Sequence, residues 1–535
     1  MPSSLSVSTS SGTRTHPMSS LGNQIGSKVR TLANMGQPNI EFIMDDSDGP
    51  RRIIPSYSTM DTISGHVAIT APADTHFEEV DIAFIGTSHT FVDRVTTTPS
   101  MTGRTEANHR FLALRQPINE SDFPSPRIFE AGRTYRFPFT FNIPAQLLPR
   151  ACTHDVVSDH VRDTHLLLPP SFGDPDLSGF GSVLLDDLAP EMAKIVYGVK
   201  VRITQRGLSD NLVHILGERL KKVRVKPAFE EQAPLNIDGI DEYSPKQEKT
   251  IKKGIFKGKL GTLTAQTMQP RPFNIPGART SDNKPITTIA KLVLRFDPAE
   301  EGAKPPALSS LHTKIRVSTF YASSPRQNLP SRKHLAFDMS QGAYAESVAL
   351  NSLCITKAKW EEHTAASNPA PESLVRRDSG ISDCSTASGS ANAFAAGILL
   401  PSSNYKRGVF YSAQILVPVT LTDKKNFIPT FHSCLISRTY TLSLQFAPQG
   451  GSNISLKVPV QVCADGSDSG IENARARSVE AVMYREAADV FTPRSVVPSG
   501  FNGLRNNAQA RDELPPDYSA FAPSSRAATR ARASV

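Results

Sequence analysis

Residues 134–144 read TYRFPFTFNIP, and their alternation decides the fold. Tyr135, Phe137, Phe139, Phe141 and Ile143 fall on one face, and Arg136, Pro138, Thr140 and Asn142 on the other. A period of two is that of a strand with one buried side. Successive aromatics on that side make a large core contribution. Pro138 lies in the opposite phase and has no N–H to give a ladder, which predicts a strand at a sheet edge.

The same alternation extends in both directions. Val80, Ile82 and Phe84 follow it, as do Tyr197, Val199, Val201 and Ile203. Further along come Leu292, Leu294 and Phe296, then Ile315 and Val317, then Tyr440, Leu442, Leu444 and Phe446. Ile454, Leu456, Val458, Val460 and Val462 close the series. Long helical patterns are nearly absent from 40–465, apart from ambiguous pieces near Leu212–Leu220. Many short strands with Gly/Pro/Ser turns and no alternating helices predict antiparallel sandwiches rather than βαβ units. Two strand clusters, separated near 207–245, predict two sandwiches in tandem.

Composition bounds the function. The chain has 535 residues, of which 39% are hydrophobic, and 41 prolines against a usual proline share of about 5%. A sizeable core is therefore diluted by segments that do not pack. The net charge of +8, from 59 basic and 51 acidic residues, excludes a histone-like protein. Five cysteines without a CxxC pair exclude a disulfide scaffold and fit a reducing compartment. No apolar run approaches the roughly 20 residues of a membrane helix. The N-terminal stretch lacks the apolar region of a secretory signal, so a cytoplasmic protein is expected.

The expected organisation is a disordered arm at 1–37, a first sandwich at 38–206, a connecting segment at 207–245 and a second sandwich at 246–465. The second sandwich is interrupted by a Ser/Ala/Pro-rich disordered insertion at 362–404. A disordered tail follows at 466–535, within which ENARARSVEAVMYREAADVF has the spacing of one helix.

Motifs for catalysis are missing: there is no GxSxG elbow, no GxxxxGK[ST] loop, no HExxH and no GxGxxG opening a helix. Neither an enzyme nor a cofactor is expected. Cys152, His154, His160 and His165 occur within fourteen residues. Their spacing matches no common zinc pattern, so they read as a His/Asp-rich surface loop and no metal is expected. Basic residues gather at Lys221, Lys222 and Arg224, and again at Lys252 and Lys253. They read as a solvated face or as a contact with anionic lipid; no nucleic-acid module accompanies them. In the insertion, Arg376-Arg377-Asp378-Ser379 is a basophilic phosphorylation site, with Ser382 and Ser385 nearby. In the tail, Leu514-Pro515-Pro516-Asp517-Tyr518 carries PPxY. Its two prolines preset the polyproline II turn that aromatic-lined WW grooves read, and Tyr518 adds a ring to fill a pocket.

Four blocks and the tail motif together resemble the fungal alpha-arrestins, the arrestin-related trafficking adaptors. The blocks are ISGHVAITAPADTHFEEVDIAFIGTS, AGRTYRFPFTFNIPAQLLP, TIKKGIFKGKLGTLTAQ and FHSCLISRTYTLSLQF, in that order and ahead of PPxY. The resemblance covers roughly 38–465 and implies an all-β chain of two tandem immunoglobulin-like arrestin β-sandwich domains without catalysis of their own. It implies an adaptor whose body engages membrane transporter or receptor cargo. Pro515, Pro516 and Tyr518 would recruit a WW-containing HECT ubiquitin ligase, so that ubiquitin marks the cargo for endocytosis. The implied location is cytoplasmic, peripherally at plasma membrane and endosomes. The chain departs from many members in having a single PPxY, and its cargo-facing loops match no transferable motif. A sorting scaffold of the same fold that works without the ligase is the competing expectation.

Overall fold

A computed structural model describes residues 37–45, 56–94, 103–176, 185–207, 211–232, 243–254, 258–278, 284–331, 335, 338–364, 401–402, 405 and 408–490, with 481–490 as backbone only. The first half supplies β1 (Asn39–Met44), β2 (Ser56–Tyr57), β3 (Thr62–Thr70), β4 (Thr75–His76) and β5 (Glu79–Arg94). It continues with β6 (Gly103–Arg115), β7 (Ile128–Phe129), β8 (Thr134–Asn142), α1 (Asp159–Leu166), β9 (Ala193–Arg206) and β10 (Val213–Val225). One sheet has the order β1-β3-β8 and another β2-β10-β9-β5-β6. Phe137, Phe139 and Phe141 from the first sheet share a buried core with Val80, Ile82, Phe84, Tyr197, Val199, Val201 and Ile203 from the second. β8 is an edge strand among the described residues, which suits Pro138: there it pairs with β3 alone, and Pro138 stands opposite His66.

The second half supplies β11 (Lys246–Lys252), β12 (Lys259–Thr267), β13 (Phe273–Ile275), β14 (Thr287–Pro298), β15 (Leu308–Ala322) and β16 (Gln341–Cys354). After these come β17 (Glu361–Thr364), β18 (Val409–Thr420), β19 (Phe431–His432), β20 (Ile436–Pro448), β21 (Ile454–Val460) and β22 (Val462–Ala464). A sheet of order β11-β12-β14-β18-β17 packs against one of order β16-β15-β20-β19, to which β21 adds along β20. Leu292, Leu294 and Phe296 meet Tyr440, Leu442, Leu444 and Phe446 in the core between them. The fold is all-β: two arrestin-like sandwiches in tandem.

Three boundaries differ from the sequence reading. The stretch expected to connect the sandwiches carries β10, a full strand of the first one, paired with β9. Its alternation is hidden by a register shift between Ile215 and Gly217 and by the exposure of Leu212, Val213, Ile215 and Leu220. The insertion is shorter than 362–404 at both ends. Glu362–Thr364 pair with β18, and the Ser402 N–H donates to the buried Asp297 carboxylate at 2.8 Å.

The segment beyond 465 does not begin as a free tail. α2 (Asp468–Val490) starts there, capped by Ser467, whose Oγ accepts the Gly470 N–H at 3.0 Å. The buried Asp61 carboxylate accepts hydrogen bonds from the Ser467 and Ser469 hydroxyls, and Asn473 Nδ2 donates to the Met60 carbonyl. A carboxylate at a helix N-terminus is favoured by the helix dipole, so the first sandwich holds the start of α2.

Candidate functional site

Pro515, Pro516 and Tyr518 lie outside the described residues, as do Ser379, Ser382 and Ser385. The basic residues are described, and they do not form one face. Lys222 and Arg224 share one side of β10 and Lys221 takes the other. Lys222 Nζ is held by Asp174 at 2.8 Å and Asp176 at 2.6 Å. Burial works against its charge, but the two carboxylates outweigh burial and keep its pKa above that of an ordinary lysine. Arg224 lines a cavity of about 20 Å³ with Phe172, Asp187, Lys226 and Phe427, and burial lowers its pKa. Lys252 and Lys253 are exposed on the second sandwich, where Lys253 pairs with Glu300. Lys221 and Lys252 thus offer the more accessible charge, one from each sandwich.

The dense chemistry lies in the seam between the sandwiches. Tyr321, Ile428, Phe431, Leu435 and Ile436 of the second half are continuous with the first core. Thr90 Oγ1 donates to the Ala322 carbonyl at 2.6 Å, and the Val157 N–H to the Gln327 carbonyl at 3.1 Å. Into this apolar contact Arg438 projects a fully buried guanidinium. It donates to the Asp187 and Leu188 carbonyls at 2.9 and 3.2 Å and stacks on the Phe172 ring 4.8 Å away. Burial pushes the Asp187 carboxyl up, against the Gly173 N–H and the Arg438 charge that favour its ionised form. Buried charge of this kind is tolerated where the surrounding donors and acceptors answer it.

At one end of the seam the Cys/His stretch takes a form the sequence reading missed. It is not a surface loop. Pro149–Ala151 form a 3-10 turn that delivers Cys152 inward, and α1, capped by Ser158, turns His165 to the same point. Cys152 and His165 are 1% and 2% exposed, while His160 stays on the exposed side of α1. From the second sandwich comes Cys434, 4% exposed, on the tight turn between β19 and β20. One donor atom each of Cys152, His154, His165 and Cys434 lies within 4.8 Å of the other three. Cys152 Sγ stands 3.3 Å from His154 Nε2 and 3.7 Å from His165 Nδ1. Burial first, then the charges around it, keeps His165 neutral with a pKa of about 4. Burial together with Cys152 pushes the Cys434 thiol up to about 12.

Nothing local announced Cys434 or Asp187 as members of this seam. Arg438 did leave a signal: it falls in phase with Tyr440, Leu442 and Leu444, a cation on the buried side of a strand.

Residues 116–178 match the family model described as Bul1 N terminus. That span runs from the end of β6 through Cys152, His154 and His165 to the Asp174 region. No curated protein matches the chain. Over the matched segment the chain is similar to Bul1-type arrestin-related proteins. That likeness and the tandem arrestin-like sandwiches agree in kind, the match itself covering residues 116–178 alone.

Proposed function

We propose that this protein links membrane cargo, a transporter or receptor, to a WW-containing HECT ubiquitin ligase, so that the cargo is ubiquitinated, internalised and sorted. The observation that carries the reading is the pairing of a Bul1-type arrestin body with PPxY at Pro515, Pro516 and Tyr518, well beyond the last sandwich strand. In this reading the two sandwiches meet the cargo, and the sequence beyond them carries the short ligase signal. Peptide recognition of this kind is weak, because ordering the segment offsets part of the contact energy. A second attachment raises it by effective concentration, and Lys221 and Lys252 are two exposed cations that an anionic membrane could meet. Phosphorylation at Ser379, with Ser382 and Ser385 beside it, would add about −1.5 to −2 charge per site and tune that contact. No catalytic step is assigned to the chain.

A WW-domain pull-down with the full chain and its Tyr518→Ala variant tests the reading, read beside a thermal scan. The expected outcome is lost WW binding with an unchanged melting midpoint. Full binding by the variant would remove the ligase from the mechanism and leave the sorting scaffold ahead.

A further inference from the structure

We propose that Cys152, His154, His165 and Cys434 bind one zinc ion that joins the first sandwich to the second. The donor set is two sulfurs and two imidazole nitrogens, the combination that four-coordinate structural zinc takes. Around such an ion, with Zn–S about 2.3 Å and Zn–N about 2.0–2.1 Å, neighbouring sulfur and nitrogen donors stand about 3.5 Å apart. The separations of 3.3 and 3.7 Å from Cys152 Sγ to the two imidazoles straddle that value. One sulfur thus stands close to both imidazole nitrogens, with the Cys434 donor within 4.8 Å of all three, which a single ion satisfies. A two-iron cluster would segregate them, with the cysteines on one iron and the histidines on the other.

The surroundings set each donor. His154 Nδ1 lies 3.0 Å from the Asp155 carbonyl. Donation there places the proton on Nδ1 and leaves the Nε2 lone pair toward Cys152, the arrangement that metal-bound histidines take. Arg162 donates to the Cys152 carbonyl at 2.9 Å and so fixes the 3-10 turn against α1. Cys434 is fixed independently. Ser433 Oγ and N–H both bond the Ile436 carbonyl, closing the turn. Arg326 then braces that turn through Ser437 Oγ at 2.9 Å, the Leu435 carbonyl at 3.1 Å and its own N–H to the Cys434 carbonyl at 2.9 Å. Charge also balances. On binding, the two thiols lose their protons to solvent, and two thiolates cancel the +2 ion, so the buried set is neutral.

Three donors come from one short stretch and the fourth from a turn 269 residues further on, in the other sandwich. An ion there closes a long loop and fixes the seam where Val157 meets Gln327 and Phe431 meets Phe172.

The test is metal analysis of the full chain, purified under reducing conditions and without a metal-affinity step. One equivalent of zinc is expected. Cys434→Ser and His165→Ala should lower it at least tenfold, and Cys463→Ser, a buried cysteine outside the set, should leave it unchanged. Because loss of a ligand can also loosen the fold, the wild-type chain is in addition stripped with a chelator and refilled with Co²⁺. The intense visible bands of tetrahedral cobalt and a thiolate-to-cobalt charge-transfer band are expected, and zinc should displace both. The proposal is overturned by any of three results: less than a tenth of an equivalent of zinc with no cobalt spectrum, zinc retained in full by Cys434→Ser, or a Cys152–Cys434 disulfide recovered from the reduced preparation.

Discussion

Arg438 is a fully buried cation whose guanidinium answers two carbonyls and a ring rather than a carboxylate at contact distance. Replacing it with methionine keeps an unbranched apolar stem but removes the guanidinium, leaving the Asp187 and Leu188 carbonyls without this donor. A buried group stripped of its partner costs about 1–3 kcal/mol, so Arg438→Met is expected to lower the thermal midpoint of the full chain. Arg206 makes the opposite case. It pairs with Glu78 on the surface, both partners substantially exposed, and Arg206→Met should leave the midpoint where it was. Differential scanning calorimetry of the two variants beside the wild type checks both statements. Equal midpoints for all three would mean that the seam does not depend on its buried cation.

Among the elements, the hairpin of β17 and β18 carries the largest sequence insertion, yet its own ladder runs from Glu361 opposite Ser412 to Thr364 opposite Val409. Asp297, itself held by Arg295 at 2.7 Å, takes the Ser402 N–H and fixes the return of the chain. Replacing 368–398 with a six-residue Gly/Ser linker should therefore leave folding intact. Shortening the loop should raise stability by about 1–2 kcal/mol, because closure entropy grows only logarithmically with length. A lowered midpoint in calorimetry would show that the replaced residues pack on the sandwich. The loops that join the sandwiches carry a different signature. Asp186, in the approach to β9, pairs with Lys425, which follows β18, at 2.7 Å. Burial raises the Asp186 pKa, but the Lys425 and Leu188 hydrogen bonds win and the carboxyl ends below its ordinary value, while the Asp186 hydrogen bond raises that of Lys425. The carboxylate's contribution is present above its unfolded value of about 3.9 and is lost as pH falls through the lower folded one. The lysine's contribution is present below about 10.4 and is lost as pH rises through the higher folded one. Lys425→Ala should thus cost about 0–1 kcal/mol, evenly between about pH 5 and 9 and less in high salt. A cost that changed sharply near pH 7, followed by thermal melts across pH, would contradict the assignment. These elements also mark what sequence could convey. Strands with one dry face, such as β8, β9 and β20, were legible because period two survives in the letters. β10 was not, because a bulge shifts its register and four of its large apolar residues or their neighbours face water. The Cys/His cluster was half legible: Cys152, His154 and His165 stand together in sequence, whereas Cys434 reaches them only through the packing of the second sandwich.

For the whole molecule, the two sandwiches meet over a seam that combines continuous apolar packing, a buried arginine and a four-donor Cys/His cluster. Residues 37–477 belong to one compact unit, within which α2 starts against Met60 and Asp61. A compact body with PPxY far along the chain would suit the proposed adaptor, which must hold cargo while a ligase works beside it. The adaptor account stands or falls on whether PPxY couples this body to ubiquitin transfer. The most direct measurement is a reconstituted reaction of the full chain with a WW-containing HECT ligase, its activating and conjugating enzymes and ubiquitin, run beside Tyr518→Ala. The account predicts ubiquitin conjugates on the wild-type chain and at least a tenfold loss on the variant at equal thermal stability; equal conjugation of the two would contradict it.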